Sequence, residues 1–95
     1  MRATRKNVTY RVTGNASLGL ITYLDRFGKA AQLIADLPWS SSFQIENGKT
    51  LFLEARPVSY NGTFKCEIMV DGKAVESSPL SDGFISVRCE TRLLQ

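Results

Sequence analysis

Apolar and polar side chains alternate along this chain in short runs with a period of two, and turn residues interrupt the runs about every ten positions. In Val8-Thr9-Tyr10-Arg11-Val12-Thr13 the alternation is strict: Val8, Tyr10 and Val12 share one face, and Thr9, Arg11 and Thr13 the other. Gly14-Asn15 ends that run. Leu18 to Leu24, with Tyr23 inside it, is apolar on both faces, the pattern of a strand central to its sheet. Asp25-Arg26-Phe27-Gly28 then turns the chain into a short strand near Lys29 to Ile34, although Ala30 to Ala35 also suits a helical turn. In Leu37-Pro38, the proline has no amide hydrogen and pushes the residue before it toward extended geometry.

From Trp39 the alternation resumes, with Trp39, Ser41, Phe43 and Ile45 on one side. Asn47-Gly48 predicts a tight hairpin, and Leu51, Leu53 and Ala55 continue the inward face on the returning strand. After Asn61-Gly62, the residues Phe64, Cys66, Ile68 and Val70 alternate with Lys65, Glu67 and Met69. Asp71-Gly72 predicts a two-residue hairpin, because both positions tolerate positive φ, and leads to a short strand near Ala74 to Ser77. The last strand is expected from Phe84 to Arg92, with Ile85, Val87 and Cys89 inward. The pattern gives an all-β sandwich or barrel of seven to eight mostly antiparallel strands. Ninety-five residues are too few for two independent cores, so residues 1–7 are read as a flexible basic lead and 8–95 as one domain.

Composition narrows the function classes. No segment approaches the roughly eighteen unbroken apolar residues of a membrane helix. The net charge is +3, Arg2, Arg5 and Lys6 lie in the lead, and the remaining cations are interleaved with Asp and Glu. That pattern reads as solvated strand faces, not as the dense basic stripe of a nucleic-acid domain. The absence of histidine removes the commonest general base and the commonest zinc ligand together. Asp25, Asp36, Glu54, Glu67 and Glu90 remain as acid–base candidates, but most fall at turns or on polar faces. The expectation is a non-enzymatic domain without metal or cofactor.

Few residues stand out as contact candidates. Trp39, beside Pro38, could stack on a ligand, but its phase with Phe43 and Ile45 favours packing in the core, on the same grounds as Tyr10 and Tyr23. Phe27 and Tyr60 fall at turns, where they either mark a partner surface or cap the ends of the sandwich. Cys66 and Cys89 both face inward, and a bridge between them would close a loop of about 23 residues, worth roughly 3 kcal/mol. A lone pair in a small β domain favours a disulfide and an oxidising compartment, with two buried free thiols as the alternative.

Val8-Thr9-Tyr10-Arg11-Val12-Thr13-Gly14, Ile21-Thr22-Tyr23-Leu24-Asp25, Leu37-Pro38-Trp39 and Cys66-Glu67-Ile68-Met69-Val70-Asp71-Gly72, followed by Cys89, occur in an order and spacing that resemble the soluble domain of the mycobacterial small membrane proteins, the MmpS family. The likeness runs from Val8 to Cys89. It implies an immunoglobulin-like β-sandwich on the periplasmic side of the cell envelope, a Cys66–Cys89 disulfide, and a partnership with MmpL transporters, large inner-membrane exporters of the resistance-nodulation-division type that move lipids or siderophores. It supplies no catalytic residues, and its functional positions here are Trp39 and the two cysteines, as structural ones. Members of that family begin with a single membrane-spanning helix, an anchor that the basic lead of this chain does not provide. The leading expectation is thus an extracytoplasmic accessory domain that docks on a transporter, with lipid-like cargo nearby. Its alternative is a secreted or surface sandwich that binds a ligand or protein directly.

Overall fold

The structure, a computed structural model, describes residues 5–58, 62–79, 81–82 and 86–93. Among these residues the chain forms eight strands of five to nine residues and one strand of two, arranged as two antiparallel sheets that make a β-sandwich. They are β1 (Arg5–Thr13), β2 (Leu18–Leu24), β3 (Ala30–Asp36), β4 (Trp39–Glu46), β5 (Thr50–Pro57), β6 (Thr63–Val70), β7 (Lys73–Ser77), β8 (Ser81–Asp82) and β9 (Val87–Arg92). One sheet runs β4-β1-β6-β7, with β8 also on β6; the other runs β3-β2-β5-β9.

Alternation decides which side chains meet between the sheets. Val8, Tyr10 and Val12 of β1 and Phe64, Cys66 and Ile68 of β6 face Ile21 of β2, Leu51, Leu53 and Ala55 of β5, and Val87 and Cys89 of β9, all buried. β2 is central to its sheet, between β3 and β5, as its two apolar faces anticipate.

Several expectations change. β1 starts at Arg5, inside the expected lead, because Arg5, Lys6 and Asn7 pair with Glu46, Ile45 and Gln44. Ala30 to Ala35 is strand and not helix: Ala30 to Asp36 pair residue by residue with Leu24 to Leu18. Asn47-Gly48 does not close a hairpin within one sheet. β4 pairs with β1 and β5 with β2, so that turn carries the chain between sheets. Asp71-Gly72 does form the expected hairpin, with φ of 51° and 84°, in the left-handed region of a primed turn. Tyr60, Phe84 and Ile85 lie outside the described residues.

The β1–β2 connection is pinned to the start of β6. Asn15 Oδ1 accepts from Thr63 N at 2.7 Å, Thr63 Oγ1 accepts from Asn15 N at 3.0 Å, and Ala16 N donates to Thr63 O at 3.3 Å. Gly14, at φ 138°, permits this approach: a Cβ there would fall on the Thr63 carbonyl oxygen.

Candidate functional site

Of the aromatic residues singled out in the sequence, three are structural. Tyr10 is fully buried and its ring meets Tyr23 at 5.7 Å and Phe43 at 5.2 Å; Tyr23 in turn meets Trp39 at 5.5 Å. Trp39 is half-buried against the core, so its phase with Phe43 and Ile45 indicated its place correctly. The adjacent Pro38 is exposed. The Tyr10 hydroxyl donates to Leu24 O at 2.7 Å and accepts from Phe52 N at 3.3 Å. The β2–β5 register ends at Tyr23↔Leu53, so this hydroxyl from the opposite sheet spans the next pair of backbone groups. Burial pushes the phenol up to about 12, against the hydrogen bond from Phe52, which favours the ionised form.

Cys66 and Cys89 do face one another between the sheets, but they are free thiols, and the expected bridge is not formed. The Cys89 thiol donates to Cys66 O at 3.1 Å. That carbonyl also accepts from Ser78 N at 2.9 Å, and Ser78 Oγ accepts from Cys66 N at 2.9 Å. Cys89 is held protonated well above the ordinary thiol range by its hydrogen bond with Cys66 and by burial. The pair is therefore a closed, hydrogen-bonded part of the core.

The five candidate carboxylates do not converge. Asp25 Oδ1 accepts from Phe27 N at 2.9 Å and Lys29 N at 3.0 Å, shaping its own turn. Glu54 pairs with Arg56 and Glu67 with Arg11, while Asp36 and Glu90 point to solvent from β3 and β9.

Two surfaces remain. The first is a half-open groove of about 560 Å³ at one end of the sandwich, where the start of β1, the β2–β3 turn and the end of β4 come together. Arg5, Arg26, Lys49 and Glu46 give it charge, and Phe27 and Ile45 give it apolar wall. Phe27 is 69% exposed, the most exposed large apolar side chain among the described residues, and the Arg26 guanidinium sits 5.0 Å from its ring centroid. Sequence reading found Phe27 through its turn position, but Arg5 and Lys49 join it only through strand pairing.

The second surface is the outer face of the β3-β2-β5-β9 sheet. Ile34, 60% exposed, stands opposite Leu20 on β2, with Leu18 further along the same strand. The free edge of β3 carries Ala30-Ala31-Gln32-Leu33-Ile34-Ala35 with no charge before Asp36, whereas β9 presents Arg88, Glu90 and Arg92, and the β6–β7 edge is broken by a bulge at Ile68/Met69.

No protein-family model matches the chain, and comparison with curated proteins gives no match.

Proposed function

We propose that this chain is a non-enzymatic extracytoplasmic accessory domain that docks on an exporter of lipids or siderophores of the resistance-nodulation-division type. The observation that carries the docking part is the uncharged, uncovered β3 edge with the exposed Ile34 beside the half-buried Leu20. Edge strands are normally protected by charge, proline or bulges, and an edge left open offers its backbone groups and its apolar face to a partner strand. The MmpS resemblance supplies the identity of the partner and the side of the membrane. The alternative, direct capture of a ligand by a secreted or surface sandwich, draws on the end groove.

A photo-crosslinking amino acid at position 34, compared with one at Val75 on the β7 edge of the other sheet, tests the docking reading in cells that carry the gene and its exporter. Crosslinks from position 34 to the transporter, absent from position 75, are expected. Crosslinks to the transporter from neither position would remove the reading. The extracytoplasmic placement is tested separately: protease added to intact spheroplasts should digest the domain.

A further inference from the structure

The strand register gathers charge at one end of the sandwich. Arg5 begins β1 opposite Glu46, Lys49 follows the β4–β5 turn, and Arg26 and Lys29 flank Phe27 in the β2–β3 turn. Lys6 and Arg92 continue the same end on its β7–β9 side, lining a smaller cleft of about 150 Å³. At the opposite end the β1–β2 and β3–β4 turns, residues 14–17 and 37–38, contain no charged residue.

Among the described residues Arg5, Arg26 and Lys49 make no ion pair, although Glu46 lines the same groove. The ion pairs there are Lys6–Asp71, Arg11–Glu67 and Arg56–Glu54. Asp25, the acid nearest Arg26 in the chain, uses one carboxylate oxygen on two backbone amides. This capping also fixes the turn, together with Gly28 N to Asp25 O at 3.0 Å and Asp25 N to Lys29 O at 2.9 Å, so Phe27 projects from a constrained tip. A ring at the apex with a guanidinium stacked over it combines an apolar anchor and a charge at neighbouring depths, as the boundary between acyl chains and phosphates requires.

We propose that this tip and the groove behind it dock on an anionic lipid bilayer, with Phe27 entering the headgroup region and Arg5, Arg26 and Lys49 meeting lipid phosphates. Charge complementarity selects an anionic partner, and the protruding ring selects a surface that can be penetrated, which favours a bilayer over a flat acidic protein face. The proposal does not depend on the exporter reading, since it concerns a different surface and needs no protein partner.

The test is co-sedimentation of the purified chain with vesicles of phosphatidylcholine alone and of phosphatidylcholine mixed with phosphatidylglycerol, at low and high salt. Binding to the mixed vesicles that weakens with salt is expected, with little binding to phosphatidylcholine alone. Arg26→Glu should lower partitioning about thirtyfold, roughly fivefold for each unit of charge. Phe27→Ser should lower it about tenfold through lost apolar burial, and Phe27→Trp should retain it. Lys65→Glu, an equal charge reversal near the opposite end, should change it less than about twofold, since its distance from the membrane exceeds the screening length. Melting curves of each variant confirm folding. Failure to bind mixed vesicles at low salt, wild-type partitioning by both Arg26→Glu and Phe27→Ser, or equal binding to neutral vesicles overturns the proposal. So does saturation of the Arg26 and Phe27 amide shifts by inorganic phosphate with no vesicle binding, which would make the groove a small-anion site.

Discussion

Removing one oxygen, in Tyr10→Phe, tests how the two sheets are tied together. The hydroxyl reaches from β1 across the sandwich to Leu24 O at 2.7 Å and Phe52 N at 3.3 Å, and the side chain has no solvent exposure. The variant keeps the ring packing against Tyr23 and Phe43 but leaves a carbonyl and an amide without their partner. Each orphaned buried group costs about 1–3 kcal/mol, partly recovered if the strands close on one another, so a net loss of about 2 kcal/mol at neutral pH is expected. In a domain of this size that lowers Tm by about 10 °C. The same oxygen makes a second, independent signature. Burial raises the folded-state phenol from 10.0 to about 12, so the unfolded chain ionises first as pH rises. The stabilisation is complete below pH 10 and is lost between pH 10 and 12, amounting to about 2.5 kcal/mol for a shift of that size. Denaturant unfolding followed by circular dichroism should show wild type well above Tyr10→Phe at pH 7, with the gap closing toward pH 12. A gap that stays constant across that range, or no gap at pH 7, would refute the bridging role.

Three further outcomes follow from the packing. Thiol reagents should leave Cys66 and Cys89 unmodified until the protein is unfolded, because both are buried and hydrogen-bonded, and rapid labelling of the native protein would contradict this. Gly14→Ala should cost about 3 kcal/mol, since it combines a left-handed φ with a Cβ placed on the Thr63 carbonyl, whereas Gly28→Ala, at φ 79° with nothing within 4 Å, should cost about 1 kcal/mol; equal losses in calorimetry would remove the steric argument. Asp25→Ala should lower stability by about 1 kcal/mol and speed hydrogen exchange at the Phe27 and Lys29 amides, and unchanged exchange would show that the turn holds without its cap.

Which parts of this structure were legible in advance depends on how far apart the interacting residues lie. Alternation is local, so the inward sets Val8–Tyr10–Val12 and Phe64–Cys66–Ile68 were readable from their own segments. Turn chemistry is local too, but it reports a backbone conformation and not a destination. Asp71-Gly72 and Asn47-Gly48 carry the same kind of signal and both glycines adopt positive φ, yet one joins paired strands and the other crosses between sheets. Ala30 to Ala35 was ambiguous because alanine favours helices, and pairing with β2 overrides that preference. The facing of Cys66 and Cys89 followed from parity; that the Cys89 thiol donates to the Cys66 carbonyl, alongside Ser78 N, instead of bonding to the other sulfur depends on backbone geometry that parity does not carry.

The same distinction separates the two surfaces. The Ile34–Leu20 pair arises from adjacent strands joined by one short turn, but in the sequence the two apolar faces of β2 indicated only a central strand, not an apolar pair on its outer face. The charged end has no local signature. Arg5, Arg26 and Lys49 are separated by about twenty residues each; Arg5 read as part of a basic lead, and Arg26 and Lys49, near Asp25 and Glu46, read as scattered surface charge. They converge because antiparallel strands return the chain to the same end after every second crossing, so the N-terminus of β1, the β2–β3 turn, the β4–β5 turn and the β6–β7 turn share one end by topology. Net charge per chain is therefore a poor guide to electrostatic function in an all-β fold. The useful quantity is charge per end, which can be counted once strand order is known: here it separates a cationic tip with an exposed ring from opposite turns held by neutral Asn15–Thr63 contacts.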